Sequence, residues 1–198
     1  GGTSDIGLQA VSGALERGHK MIVLCYDNEA YMNTGIQRSS STPQWASTTT
    51  SPAGKVSKGQ KTWKKPLTEI CAAHQIPYVA TMSPGYPFDM MEKFKKAAEA
   101  DGPAFLHCYA PCPTGWRCAS DIGIRLSRLV VQTGLYPIYE VVDGEMRMTY
   151  KPPFLKPLSE YVSSQGRYRH LDAEDIAQLE QRVHEEYHRF VAREAAEA

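Results

Sequence analysis

The segment Cys25-Tyr-Asp-Asn28-Glu-Ala30-Tyr-Met-Asn33-Thr34-Gly35, read with the opening Gly1-Gly2-Thr-Ser-Asp5-Ile-Gly7, decides the fold. A glycine turn that opens a helix brings backbone N–H groups to a phosphate. The chain then runs back through an apolar strand, His19-Lys-Met-Ile-Val-Leu-Cys-Tyr26, whose carboxyl end is where open α/β sheets bind ligands. Oxygen donors follow at once. Magnesium is small, hard and octahedral, and sits between phosphate oxygens and one or two protein oxygens. The Asn28 side-chain oxygen and the Ala30 carbonyl can supply two of these. Taken alone the segment is ambiguous, because polar residues at strand ends ordinarily form turns.

The match is wider than one motif. Gly1 to Gly7, Leu8-Gln-Ala-Val-Ser-Gly-Ala-Leu-Glu-Arg-Gly18, Asn28 to Gly35, Ile36-Gln-Arg-Ser-Ser40, Thr48-Thr-Thr-Ser-Pro-Ala-Gly54 and Ala110-Pro-Cys-Pro-Thr-Gly-Trp116 together resemble the β subunits of pyruvate:ferredoxin oxidoreductases, the pyruvate synthases, over nearly the whole chain. The resemblance implies an α/β fold: a three-layer sandwich with a mainly parallel sheet, of the thiamine diphosphate-binding type. It implies reversible oxidative decarboxylation of pyruvate to acetyl-CoA and carbon dioxide, with electrons passed to ferredoxin. The expected cofactors are thiamine diphosphate, Mg2+ and a [4Fe-4S] cluster. The expected partners are α, γ and δ-type subunits, ferredoxin, coenzyme A and pyruvate. Alternatives are action on oxalate or a branched-chain 2-oxoacid, or a non-catalytic truncated subunit that only assembles.

By the same resemblance, Asn28 and Ala30 bind magnesium, and Gly1 and Gly2 lie by the diphosphate. Asn33 points at the reacting centre, with Thr34 beside it. Local hydrogen bonding is the plainer role for Asp27 and Glu29, and Asn33 can equally cap the turn before Gly35. Family members begin the glycine motif Gly-Asp-Gly, and that Asp is a magnesium ligand; this sequence begins after it and is expected to be a fragment. Cys112 matches one ligand of the cluster, whose other three ligands the family places upstream of the glycine turn. A [4Fe-4S] cluster held by thiolates needs four.

With 198 residues, a formal net charge of zero and 42% hydrophobic residues, the chain suits one domain with a substantial core, with a helical extension from about residue 152. No basic excess favours nucleic acid, and no apolar run approaches the roughly 20 residues that span a bilayer. The cysteines, Cys25, Cys71, Cys108, Cys112 and Cys118, form an odd set without a small-scaffold disulfide pattern, as suits a reducing cytoplasm. Cys25, Cys71 and Cys108 read as core thiols.

Periodicity predicts a helix over 5–17 with Ile6, Ala10, Val11, Ala14 and Leu15 inward, a buried strand over 20–26, and a long polar stretch over 28–65. Lys55, Lys58, Lys61, Lys64 and Lys65 make that stretch basic. A solvated loop is the default reading; attraction of anionic ferredoxin or coenzyme A is the sharper one. A short helix is expected over 67–74, a strand over 78–82 and a helix over 88–100 with Phe88, Met91 and Phe94 inward. A buried strand over 104–109 and a helix over 118–132 follow. Asp143-Gly144 predicts a hairpin between strands 137–142 and 145–150, and Asp172 caps a final amphipathic helix. Of the histidines, only His107 falls near the expected site.

Overall fold

The computed structural model describes residues 1–197. A π-helical turn, Gly2–Ile6, leads into helix α1, Leu8–Glu16, and then strand β1, Ile22–Asp27. After a long loop come α2, Leu67–Ala72; β2, Tyr78–Met82; α3, Pro87–Glu99; and β3, Ala104–Tyr109. A short α4, Pro113–Trp116, and α5, Gly123–Gln132, precede the hairpin β4, Tyr139–Val142, and β5, Glu145–Met148. The remainder is α6, Ser159–Val162, and α7, Ala173–Glu197.

The strand order is β1-β3-β2-β4-β5. β3 pairs in parallel with both β1 and β2, and the hairpin joins β2 antiparallel, making the sheet mixed. The hairpin turns where expected: Asp143 and Gly144 both have positive φ, 50° and 94°, as a two-residue type I′ turn requires. Alternation along the strands builds the layers. Cys25, Val79, Phe105 and Val141 face Leu15 of α1, Leu67 and Cys71 of α2 and Tyr187 of α7, while Tyr78, Ala80, Leu106 and Cys108 face Ala97 of α3. Beyond the carboxyl ends of the parallel strands, Tyr109, Trp116, Leu126, Tyr161, Leu179 and others form a further apolar cluster under α5, α6 and α7. The expected layered α/β fold is therefore present, with helices on both faces of one sheet.

Three expectations are corrected. The strand before the motif is buried on one face alone: among the described residues β1 is bonded only to β3, and Ile22, Leu24 and Tyr26, on its α3-side face, remain exposed while Cys25 is buried. Ile6, expected inward, is 83% exposed because the chain opens with a π-turn ahead of α1, and Ala10 is exposed with it. Along α3, Phe88 and Met91 are 82% and 65% exposed, and Phe94 is exposed too. The helix instead turns Met90, Lys93 and Ala97 toward the sheet, an i, i+3, i+7 stripe. Lys93 tolerates 1% exposure because its ammonium donates to the Thr81 carbonyl at 2.9 Å, the Asp89 carboxylate at 2.7 Å and the Thr149 hydroxyl at 2.7 Å.

That satisfied lysine predicts an inverted mutational pattern on α3. Lys93→Met should lower stability by about 2 kcal/mol, since it leaves the half-buried Asp89 carboxylate unpaired and the Thr81 carbonyl without its ammonium donor. Met91→Gln, at an exposed site, should change it by less than about 0.5 kcal/mol. Urea denaturation of the two variants reads the difference.

Candidate functional site

The glycine turn is tighter than an α-helix start. The Gly7 N–H donates to the Gly2 carbonyl at 2.7 Å, an i→i−5 bond of the kind found as single π-turns at functional sites. A Cβ on Gly7 would lie 2.3 Å from that carbonyl oxygen, and one on Gly1 would lie 2.4 Å from the Tyr31 ring. Beside Gly2 nothing lies within 4 Å of where a Cβ would stand. The turn thus packs tightly behind and is open at Gly2.

Ser and Thr residues of the long loop hold the turn in place. The Ser40 N–H donates to Asp5 at 2.9 Å, Lys65 pairs with Asp5 at 3.3 Å and donates to the Ser4 carbonyl at 2.5 Å, and the Ser41 hydroxyl donates to Ser4 Oγ at 3.0 Å. Partial burial would raise the Asp5 pKa, but the Ser40 bonds and Lys65 outweigh it and hold it below the usual carboxylate range. A polar composition suits a solvated loop; Ser40, Ser41 and Lys65 of this stretch are instead bonded to the turn it wraps.

The second motif meets the first. The Gly1 nitrogen donates to the Ala30 carbonyl at 3.4 Å. Asn28 is half-buried, its carbonyl accepts the Trp116 indole N–H at 3.0 Å, and its side-chain amide has no hydrogen-bond partner among the described residues. Between them Glu29 adopts φ 67°, the left-handed region disfavoured for a side-chain-bearing residue. An amide side chain without a partner and a main-chain carbonyl two residues on thus stand beside the open glycine turn, both hard oxygen donors of the kind magnesium accepts.

Behind this loop lies a buried group of charges. Asp27, 5% exposed, accepts the Glu29 N–H at 2.8 Å, pairs with Lys64 at 2.8 Å and accepts from His107 Nε2 at 3.0 Å. His107 Nδ1 meets the Thr68 hydroxyl at 2.8 Å. With Asp27 ionised, Nε2 carries the hydrogen and Nδ1 accepts from Thr68. Glu29, 3% exposed, is gripped by Lys64 at 3.1 Å and by Arg167 at 2.7 Å. The Arg167 approach is off the hydrogen-bond axis and leaves Glu29 Oε2 without a donor, so that pairing is Coulombic. Arg167 also lies 4.2 Å above the Trp116 ring and donates to Gln165 and Tyr161 at 2.9 and 3.1 Å. Burial would raise the Asp27 pKa, yet Lys64 and His107 drive it far below the carboxylate range. Burial would likewise lower both cations; Asp27 and Glu29 hold Lys64 well above the ordinary range, and Tyr168, then Glu29 and the other buried tyrosines around it, raise Arg167.

Sequence reasoning missed Lys64 and Arg167. Lys64 was read with a solvated cluster, of which Lys58 and Lys65 are also tied down, to Asp175 and Asp5. Arg167 carries no local signal at all. Near Lys64, a cavity of about 450 Å3 under α7 is lined by Glu29, Lys64, Thr68, His107, Tyr136 and Phe190, among others.

Asn33 and Thr34 sit exposed at the tip of a turn closed by paired Tyr31 and Gln37. Gln37 ties this turn by donating to the Thr34 carbonyl at 2.6 Å; Asn33 makes no capping bond among the described residues. Cys112 caps α4, its Sγ accepting the Gly115 N–H at 3.5 Å. Among the described residues no group of three His, Cys, Asp or Glu is arranged to hold a metal, so Cys112 has no co-ligands for a cluster there. Cys108 and Cys71 are buried thiols whose pKa burial pushes up to about 11 and about 12.

The sequence pattern described as "Thiamine pyrophosphate enzyme, C-terminal TPP binding domain" matches residues 1–108, the stretch that holds the glycine turn, the Asn28 loop and Lys64. The chain belongs to this family. It is 56% identical over 183 residues to pyruvate synthase subunit PorB of Methanothermobacter thermautotrophicus, covering 92% of this chain and 64% of that protein. PorB of Methanocaldococcus jannaschii is 55% identical over 185 residues, covering 93% and 62%. Ketoisovalerate oxidoreductase subunit VorB of Pyrococcus horikoshii is 49% identical over 192 residues, covering 96% and 62%. The chain thus spans just under two thirds of the length of these relatives. Among solved structures, a 2-oxoglutarate:ferredoxin oxidoreductase from Magnetococcus marinus, with 2-oxoglutarate, coenzyme A and succinyl-CoA bound, shares the fold at TM-score 0.50 and 18% identity, covering 88% of this chain and 63% of that one. No helix among the described residues is long and apolar enough to cross a membrane.

The charge cluster separates the loop lysines by role. Lys64→Met leaves two buried carboxylates facing one cation and should cost about 3–5 kcal/mol. Lys55→Met, at an exposed lysine, should stay within about 0.5 kcal/mol. Denaturant midpoints of the two variants check this.

Proposed function

We propose that this chain is the diphosphate- and magnesium-binding part of a thiamine diphosphate-dependent 2-oxoacid:ferredoxin oxidoreductase that oxidatively decarboxylates pyruvate to acetyl-CoA and carbon dioxide. The observation that carries the reading is the packing of the glycine turn on the Asn28–Ala30 loop, where a Cβ at Gly1 would lie 2.4 Å from the Tyr31 ring and the Asn28 amide has no partner among the described residues. The identity to pyruvate synthase subunits over 92% of the chain supports the substrate. When bound, thiamine diphosphate supplies the carbanion-stabilising chemistry of 2-oxoacid decarboxylation.

This chain's residues bind and orient. Gly1 and Gly2, with open space beside Gly2, would lie by the diphosphate, and Asn28 and Ala30 would offer magnesium a side-chain and a main-chain oxygen. Asn33, with Thr34 beside it, reaches the substrate from an exposed turn, where it is free to be arranged by what docks there. Cys112 offers one thiolate to a [4Fe-4S] cluster; its remaining ligands are not among the described residues, and the residues here do not fit a whole cluster. Residues 1–198 act as one cofactor-binding unit inside a complex with α, γ and δ-type subunits, exchanging electrons with ferredoxin and acyl groups with coenzyme A in a reducing cytoplasm. The exposed Ile6, Leu24, Tyr26, Phe88 and Met91 support such an assembly. A second reading, a branched-chain 2-oxoacid as substrate, is supported by the 49% identity to a ketoisovalerate oxidoreductase subunit.

In the complete complex, Asn28→Ala should raise the Mg2+ concentration needed for thiamine diphosphate binding by about tenfold or more, read by calorimetric titration. An unchanged requirement would remove Asn28 from the metal site. Turnover of pyruvate against 3-methyl-2-oxobutanoate separates the two substrates. A complex that binds no thiamine diphosphate with magnesium has only an assembling role for this chain.

A further inference from the structure

We infer that Glu29 is a positioning residue, whose carboxylate, held between Lys64 and Arg167, locks the left-handed bend that turns the Asn28 amide and the Ala30 carbonyl to one centre. This rests on the reading that Asn28 and Ala30 bind magnesium. A side-chain oxygen at one residue and a main-chain oxygen two residues on converge only if the chain turns between them, and the turn is at Glu29, with φ 67°. Such a conformation is intrinsically disfavoured for a residue other than glycine and persists where its surroundings over-determine it.

Here the backbone groups of Glu29 are hydrogen-bonded and its carboxylate is paired with two cations from distant parts of the chain, although Oε2 meets Arg167 by charge alone. The Glu29 N–H donates to Asp27 Oδ1 at 2.8 Å, its carbonyl accepts the Thr42 hydroxyl at 2.7 Å, and its carboxylate faces Lys64 at 3.1 Å and Arg167 at 2.7 Å. Arg167 is itself fixed between the rings of Trp116 and Tyr168, at 4.2 and 5.0 Å. Trp116 in turn donates to the Asn28 carbonyl at 3.0 Å. The two carboxylates Asp27 and Glu29 are matched by the two cations Lys64 and Arg167. A buried ion group of this kind is seldom better for stability than apolar packing; what it supplies is a single geometry. That geometry belongs to the residue between the two donors.

The test uses the complete complex with Glu29→Gln, with Arg167→Lys, and with the charge-balanced double variant Glu29→Gln/Arg167→Met. Mn2+ affinity is read by electron paramagnetic resonance and the Mg2+ requirement of thiamine diphosphate binding by calorimetry, with the melting temperature of the metal-free complex alongside. Positioning predicts that the double variant melts close to the native complex yet needs about tenfold more metal, a size usual for loss of an outer-shell partner. Arg167→Lys, which keeps the charge and loses the planar fork, should fall between. If the double variant does not assemble, Glu29→Gln and Arg167→Lys carry the test, and folded variants with the native metal requirement overturn the inference. A native complex without metal-dependent thiamine diphosphate binding overturns the functional reading itself and this inference with it.

Discussion

Two carboxylates buried at the carboxyl end of one strand are the constraint on which the rest of the site depends. Asp27 and Glu29 cannot leave water as anions without cations beside them, and β1 has none to offer. One cation, Lys64, arrives from the far end of the long loop, which must therefore fold back over the strand end. The other, Arg167, arrives from the segment between α6 and α7. Closing this one electrostatic account fixes the path of both. It also means that the residues after 108, beyond the matched stretch of the family, are structurally part of the site: Trp116 and Arg167 bear directly on the Asn28–Ala30 loop.

The sequence was most legible where local chemistry and tertiary environment agree. β2 and β3 are short apolar runs between turn-forming residues, and the Asp143-Gly144 hairpin is a turn only a few residue pairs can make. The glycine turn and the oxygen donors of the next motif were likewise readable as neighbours, because both flank one helix and one strand. It failed where two stripes compete. On α3 the more hydrophobic stripe, Phe88, Met91 and Phe94, faces outward, and a lysine takes the inner face because Thr81 and Thr149, far away in the chain, supply acceptors. It failed again between Asn28 and Pro66, where Ser and Thr signal solvent. The hydroxyls of Ser41 and Thr42 are buried against Ser4 and Glu29 instead, partners that no local window contains. Arg167, read locally, is one more charged residue before a helix.

The outward apolar residues have a common logic. Ile22, Leu24 and Tyr26 lie on the α3 side of the sheet, and Phe88 and Met91 lie on α3 itself. β1 is bonded on one edge only among the described residues. Apolar side chains and unpaired strand edges at a surface are hazards unless something covers them. The strand that leads into the Asn28–Ala30 loop is therefore also a surface available to another element.

Parallel pairing of β1 and β3 explains why the two functional loops meet. Asp27 lies in register with Tyr109, so the chain leaves both strands at the same level, and the Ala110 N–H donates to the Asp27 carbonyl at 3.0 Å. Cys112 then caps the helix that carries Trp116, and Trp116 reaches back to the Asn28 carbonyl. The two loops are thus tied at two points, one at each end. A cofactor held by the first loop and a thiolate offered by the second would be kept at one separation by backbone register and a single indole hydrogen bond, with Arg167 stacked behind to prevent the ring from turning away. The separation of the Asn28–Ala30 loop from Cys112 is then a property of strand pairing.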